Sequence, residues 1–402
     1  EIRGQFMKIL LANFTRMVGD TGGMAKVTSA FANEMIRRGH QVSMMYSDEK
    51  DGEFFFPVDK SVKLYNIKKN IDGSIIKFPL YLKAFREVSR IFWKRGSRTI
   101  NGWFDKRNLL DNIQRYLEED KPDIIVASQT AATKLLLIDL NVEYPLISMS
   151  HGTTADYFTN YPVNEVPALE RADVCQVLIH AYEKDLKKYY PDLNVVVIGN
   201  GIPQYNFKAD LLSDKKQYKI IFVGRLTKTK RPHLLIKAFC KLARAYPNWI
   251  AELWGAKDRA AYYKELEYMI QKAGLKERIL LKGVTDDIPS KLLNADILAF
   301  PSAFEGFSLA LGEGMSIGLP AIGFKSAPSV NEIIIDGQTG ILSDDGADAF
   351  AEALERLMRD KDLRVRMGKA AKEEMAEFAP EKIWDKWEEL MNNVVRNHST
   401  NK

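Results

Sequence analysis

The stretch FEGFSLALGEGMSIGLPAIG, residues 304–323, holds Glu305 and Glu313 eight positions apart in an otherwise small and apolar segment. ADILAFPS ahead of it reads as a strand running into Pro301, and a helical pattern resumes near Ser308. Glu305 is therefore expected in the turn before a helix, with Glu313 inside it, about one and a half turns on. Free backbone N–H groups at such a helix start, with Gly306 beside them, suit an anion at the C-terminal edge of a parallel sheet. An ionised carboxylate only accepts hydrogen bonds, so its partners are hydroxyl groups, which a sugar or ribose offers in pairs. The bland alternative makes Glu305 a helix cap and Glu313 half of a surface ion pair.

A second constellation lies upstream. IIFVGRLTKTKRPHLLIKAF, residues 220–239, ends a strand at Gly224 and then offers Arg225 and Lys230. Pro232 opens a helix whose Leu234, Leu235, Ala238, Phe239 and Leu242 form its buried side. Both cations are expected at the same sheet edge as Glu305. They suit a diphosphate, and on a leaving diphosphate they would stabilise charge that grows in the transition state. In the first half, NFTRMVGDTGGMAKV sets Gly19, Gly22 and Gly23 between a strand and its helix, where backbone can approach phosphate or sugar closely. It is not GxGxxG, so Asp48 and Glu49 at the end of the second strand are weak as ribose ligands of a dinucleotide. PLISMSHGTT puts His151 just past another strand; a lone histidine there is more often structural.

The elements that must position these residues recur along almost the whole chain. MKILLAN, HQVSMMYS, DIIVAS, PLISMS, VCQVLI and NVVVIG are short β-rich runs in the first half; KIIFVG, AELWGA, RILLKG, ADILAF and LPAIGF restart the series. Apolar runs separated by amphipathic stretches are the mark of βαβ units around parallel sheets, so two doubly wound α/β sheets are expected. Met24, Val27, Phe31 and Met35 give the first helix one apolar stripe, with Gly39 placed to cap its end. GNGIPQYNF, residues 199–207, has turn residues and no periodicity, and reads as the domain boundary.

At 402 residues, 46% hydrophobic and 28% charged, the chain is long enough for two cores. No apolar run approaches the ~20 residues that cross a bilayer, and no signal-type segment opens the chain, so a cytoplasmic protein is expected. EIRGQF ahead of Met7 reads as a foreign leader, with Met7 the expected start. Cys175 and Cys240 are far apart and without metal-ligand spacing, so both are expected in cores. The net charge of +5 is concentrated in residues 77–108, which carry nine Lys or Arg against two acidic residues. Phe78, Tyr81, Leu82, Phe85, Val88 and Phe92 interleave with these cations at helical spacing, the build of an interfacial amphipathic helix that could touch an anionic membrane surface. The competing reading is a solvated helix whose stripe packs on its own domain. Without a recognised module, the basic block does not argue for nucleic acid.

Taken together, these motifs resemble the retaining GT-B glycosyltransferases of the family-four type, which assemble bacterial polysaccharides and glycolipids from nucleotide sugars. The resemblance spans residues 7–396. It matches the family's Glu-x7-Glu motif to Glu305 and Glu313, its Arg and Lys five apart to Arg225 and Lys230, its glycine loop to Gly22 and Gly23, and its first-domain histidine to His151. The fold so implied is two Rossmann-like domains facing a central cleft: an acceptor-side domain over 7–203, a donor-binding domain over 204–378, and a helix over 379–402 that crosses back, anchored by Trp384 and Trp387. By resemblance, Arg225 and Lys230 hold the donor diphosphate. Glu305 contacts sugar hydroxyls with backbone N–H groups from Gly306 through Phe307 and Ser308 to Leu309. Glu313 contacts the ribose, and Gly283 and Val284 meet the base. Two departures are visible: the glycine-rich turn that commonly follows the strand in ELWGAKD is reduced to Gly255, and Ala327 and Ser329 stand where the family commonly has Gly.

The activity so implied is metal-independent, retaining transfer of a hexosyl or N-acetylhexosaminyl group from a UDP-sugar, used as co-substrate without a further cofactor, to a glycan or lipid-linked acceptor at the inner face of the cell membrane. A nucleotide-sugar 2-epimerase on the same fold, a dinucleotide oxidoreductase and a non-catalytic nucleotide-binding module are the competing classes.

Overall fold

The computed structural model describes residues 6–93 and 95–400, so Lys94 of the basic segment lies outside the described residues. Residues up to Ile198, with the chain from Trp384 onward, form one compact unit; Gly199–Ile383 form a second.

In the first unit, seven parallel strands run β1 (Lys8–Ala12), β2 (Gln41–Tyr46), β3 (Lys63–Asn66), β4 (Ile124–Ala127), β5 (Leu146–Met149), β6 (Val174–Val177) and β7 (Val195–Val197). Their order in the sheet is β3-β2-β1-β4-β5-β6-β7, and every pairing is parallel. β4, β5 and β6 are buried at every position, which is why they read as continuous apolar runs and not as alternating ones. The helix Gly23–Arg37 buries Phe31 and Met35. It stops where Gly39, at φ +91°, lets its own N–H reach Ile36 O and the His40 N–H reach Met35 O. Phe31 meets the edges of Trp384 and Trp387 at ring-centroid distances of 5.3 and 5.1 Å. Arg38 adds ion pairs to Asp385 and Glu388 of the same C-terminal helix, Pro380–Thr400.

In the second unit, β8 (Tyr218–Val223), β9 (Trp249–Trp254), β10 (Ile279–Gly283), β11 (Ile297–Ala299), β12 (Ala321–Phe324) and β13 (Gly340–Ser343) form a parallel sheet in the order β10-β9-β8-β11-β12-β13. β8 is first in sequence yet central, with β9 on one side and β11 on the other, so the winding direction reverses between β8 and β11. A doubly wound sheet opens a ligand crevice at the carboxyl ends of the strands flanking that reversal. Two doubly wound parallel sheets are what the apolar runs predict. β3 and β13 were not among those runs.

Candidate active site

The residues after β8 and β11 meet at that crevice. Beyond Gly224, a tight turn is closed by Thr227 N–H to Arg225 O at 2.8 Å, Arg231 N–H to Thr227 O at 3.2 Å and Lys230 N–H to Thr227 Oγ1 at 3.1 Å. Pro232 follows at the first turn of the helix Pro232–Leu242; it disfavours the right-handed helical region for the preceding residue, and Arg231 sits at φ +51°. This turn aims Lys230 across to the β11 side, where its ammonium forms an ion pair with Glu305. Ser302 Oγ donates to the same Glu305 oxygen at 2.6 Å, and Ala303 N–H to Thr229 O, at 2.9 Å, ties the two loops together. Arg225 is exposed and has no ion-pair partner among the described residues.

The helix after Glu305 runs Leu309–Ser316, with Ser308 at its cap position and no side-chain cap bond. Ser308 is buried, its hydroxyl 3.3 Å from that of Ser329, so the serine standing at one of the departures from the family pattern supports the helix start. Gly312 and Gly314 explain why the helix is otherwise small: a Cβ would lie 2.4 Å from Ile202 Cδ1 at Gly312 and 2.5 Å from Leu298 Cδ2 at Gly314. The helix is pressed between these two side chains, and Glu313 is its only charged residue. Burial and then the Glu313 charge raise the pKa of Tyr205. Phe307 is half-buried against Gly199 and Phe378. Val284, after β10, is exposed, and Gly283 before it takes φ +75°. Gly255, the remaining glycine of its turn, has φ +154° and no room for a side chain, since a Cβ would fall 1.9 Å from Gly224 O.

The first unit places the other sequence-predicted residues at the carboxyl ends of its own strands. Gly22 is the cap residue of the helix Gly23–Arg37, whose start has no side-chain cap bond; its N–H donates to Asp20 Oδ1 at 2.8 Å, and a Cβ at Gly23 would meet open space. His151 follows β5. Its Nε2 is sealed from solvent without a hydrogen-bond partner among the described residues, and burial pushes the imidazole pKa down to about 4, so the ring is neutral at pH 7.

Asp48 and Glu49, at the end of the second strand, are each engaged by neighbouring groups of the first unit. Asp48 is fully buried, with Oδ2 accepting the Met17 and Val18 N–H groups at 2.9 and 3.1 Å. Burial works against the Glu49 charge, but the Phe78 N–H and the Lys68 and Lys83 ammonium groups outweigh it and hold the carboxyl down to about 2. Among the described residues, no group of three or more His, Cys, Asp or Glu could hold a metal ion. Sequence reasoning missed Ser302, whose only signal is its position three residues before Glu305.

The basic segment differs in detail from the expectation. The helix Leu80–Phe92 has no fully buried residue; Leu82 is partly buried, while Phe85 is 61% and Phe92 85% exposed. The cations are partly committed: Lys83 to Glu49, Arg86 and Arg90 to Glu87, and Arg95 to the Phe158 carbonyl. No helix of the described residues is long and apolar enough to cross a membrane.

Two family models cover most of the chain: one described as Glycosyl transferases group 1 matches residues 203–374, and one described as Glycosyltransferase Family 4 matches residues 21–204. The chain belongs to the family-four glycosyltransferases. Among its relatives, the amylovoran biosynthesis glycosyltransferase AmsD of Erwinia amylovora is 24% identical, over 93% of this chain and 97% of the relative. The N-acetyl-alpha-D-glucosaminyl L-malate synthase of Bacillus anthracis is 26% identical, over 64% of this chain and 70% of the relative. Among solved structures, Anabaena Alr3699/HepE in complex with UDP and glucose superimposes with a TM-score of 0.66 at 20% identity, covering 96% of this chain and 99% of that one. That likeness establishes the GT-B fold for this family-four chain.

Proposed function

We propose that this family-four protein is a retaining, metal-independent glycosyltransferase that moves a hexosyl or N-acetylhexosaminyl group from a UDP-sugar to a glycan or lipid-linked acceptor in cell-surface polysaccharide synthesis. The observation that carries the reading is the Lys230–Glu305 pair beside the uncommitted Arg225, at the reversal between β8 and β11. Without donor, Glu305 neutralises Lys230. With donor, the diphosphate becomes the stronger partner for Lys230 and Arg225, and Glu305 is left to accept from sugar hydroxyls. Backbone N–H groups from Gly306 to Ser308 face the same ligand, while the Leu309 N–H donates to Phe307 O at 3.0 Å; Glu313 takes the ribose hydroxyls, and Val284 lies against the base.

In the transfer, the bond from the sugar C1 to the phosphate oxygen breaks while a bond from C1 to the acceptor oxygen forms on the same face. The acceptor proton passes to the departing phosphate oxygen, and UDP leaves. Arg225 and Lys230 stabilise the charge that grows on the diphosphate, the task a divalent cation performs in other transferases. The neutral His151 hydrogen-bonds a substrate hydroxyl. UDP is supported by the Anabaena relative, whose complex holds UDP and glucose. Polysaccharide synthesis is supported by the Erwinia relative, named for amylovoran biosynthesis. The exposed stripe of the helix Leu80–Phe92 supports peripheral contact with an anionic membrane on the cytoplasmic side.

The test is a thermal-shift panel of UDP-sugars, GDP-sugars and NAD, followed by product analysis. A ligand at 100 times its dissociation constant adds about 2.7 kcal/mol to stability. Silence to every sugar nucleotide with a response to NAD refutes the reading, and a product epimerised at C2 with no acceptor consumed replaces it with the epimerase.

A further inference from the structure

The first unit holds a cavity of about 870 Å³ that the donor chemistry above does not use. Its lining comes from the residues after β1, β2 and β3 and from two helices, Leu80–Phe92 and Gly96–Asn108. Two kinds of group on that lining lack partners, and they call for different parts of one ligand.

The first kind is hydrogen-bond acceptors. Asp48 is fully buried, and its Oδ1 has no donor among the described residues; the sealed Asn101 Oδ1 has none either. A buried acceptor without a donor is costly, so hydroxyl groups entering here recover what the empty lining forgoes. Asp105, one helical turn beyond Asn101, lines the same cavity, and burial pushes its carboxyl up to about 6. The second kind is cations. Lys68 and Lys83 are bound to Glu49, and Arg86 to Glu87. Arg16 and Lys50 are exposed and have no ion-pair partner among the described residues, which leaves two positive charges free to meet an anion.

We propose that this cavity is the acceptor pocket and takes a hydroxyl-rich head group bearing a phosphate, with hydroxyls donating to Asn101 and Asp105 and the phosphate held by Arg16 and Lys50. This rests on the transferase reading above and names its acceptor class. The helix Leu80–Phe92 connects the chemistry to a membrane: Lys83 and Arg86 line the cavity, while Tyr81, Phe85 and Phe92 are exposed. A head group seated in the pocket can therefore belong to a lipid or to a soluble sugar phosphate.

Calorimetry with α-D-glucose 1-phosphate, at saturating UDP, tests the pocket on the full chain. The wild type is expected to bind it, and to bind glucose or inorganic phosphate more weakly. Arg16→Ser/Lys50→Ser is expected to weaken the sugar phosphate at least tenfold, and Asn101→Ala severalfold. Both variants keep their affinity for UDP and their melting temperature, which controls for folding. If the wild type does not bind UDP, the UDP-donor reading fails, and the calorimetry is run at saturating levels of the nucleotide found by the thermal-shift panel. If UDP binds but glucose 1-phosphate does not, or binds wild type and double variant alike, the pocket assignment is overturned. Vesicles of phosphatidylcholine with phosphatidylinositol, against phosphatidylglycerol at equal charge, separate the sources. A preference for inositol that Arg16→Ser/Lys50→Ser abolishes assigns the pocket to a lipid head group, and equal binding to both vesicles, with glucose 1-phosphate still bound, assigns it to a soluble acceptor.

Discussion

Lys230→Met separates two roles that the ion pair with Glu305 could play. If Lys230 mainly holds Glu305 in place, its loss acts through stability; if it holds a leaving diphosphate, its loss acts on the barrier. Breaking a fully buried pair by removing one partner costs about 3 to 5 kcal/mol. Here the side chains are 22% and 12% exposed and Ser302 keeps its bond to Glu305, so the cost is scaled down to about 1 to 2 kcal/mol. The double variant Lys230→Met/Glu305→Gln removes the uncompensated charge and is expected to recover most of that stability. Turnover behaves differently. Losing a cation aimed at the leaving group is expected to lower kcat by on the order of 100-fold or more, about 2.7 kcal/mol, and the double variant does not recover it. Urea unfolding gives the first number and initial rates with the donor found by the thermal-shift panel give the second. Wild-type turnover in Lys230→Met, or turnover in the double variant that recovers in step with stability, would refute the assignment.

Arg225→Ala is expected to lower kcat by a similar factor with no change in melting temperature, because the side chain is exposed and unpaired; a loss of stability to match would contradict it. Chelator is expected to leave initial rates unchanged, and an absolute requirement for added Mg2+ would count against charge stabilisation by Arg225 and Lys230. For His151, the folded pKa of about 4 lies below the unfolded value near 6.5, so the unfolded state binds more protons between them. Its stabilising contribution is complete above about pH 6.5 and declines by up to about 3 kcal/mol as pH falls to 4; unfolding curves that decline equally in His151→Gln would disprove this. Gly255→Ala is expected to destabilise by more than about 2 kcal/mol, measured by urea unfolding, through its contact with Gly224 O. Sedimentation with anionic vesicles is expected to fall sharply in Tyr81→Ser/Phe85→Ser/Phe92→Ser, and equal sedimentation of wild type and variant would reduce the stripe to a solvated face.

Much of this architecture is legible in the sequence because burial on both faces of a parallel sheet leaves a coarse signal. IIVA, LISM and VCQV are buried at every position and are visible as apolar runs without any knowledge of partners. KLYN and GILS are not, for physical reasons. β3 is an edge strand with Lys63 and Leu64 exposed, so it needs no apolar run; β13 is also at an edge and opens on Gly340, where a Cβ would fall 2.2 Å from Ala321 O. Close approach of backbone to backbone demands glycine there, and glycine reads as loop.

The site follows the same division between what spacing carries and what only packing reveals. Glu305 and Glu313 interrupt a small, apolar segment, and Arg225 and Lys230 follow directly on an apolar strand; both patterns stand out in a sequence. The residues that set their geometry are ordinary in composition. Gly312 and Gly314 flank Glu313 because Ile202 and Leu298 leave no room for a Cβ on either side of it. The small surroundings of Glu313 are thus a packing requirement of the helix Leu309–Ser316, in which Glu313 is partly exposed between two glycines that have no room for a side chain. Asn101 and Asp105 show the opposite case: they lie in a stretch whose nine cations dominate the pattern, and only the fold of the helix Gly96–Asn108 over the ends of β1, β2 and β3 turns those two polar side chains toward a cavity. A charge that breaks an apolar run announces itself, whereas a polar group in a polar run acquires meaning from the surface it closes against.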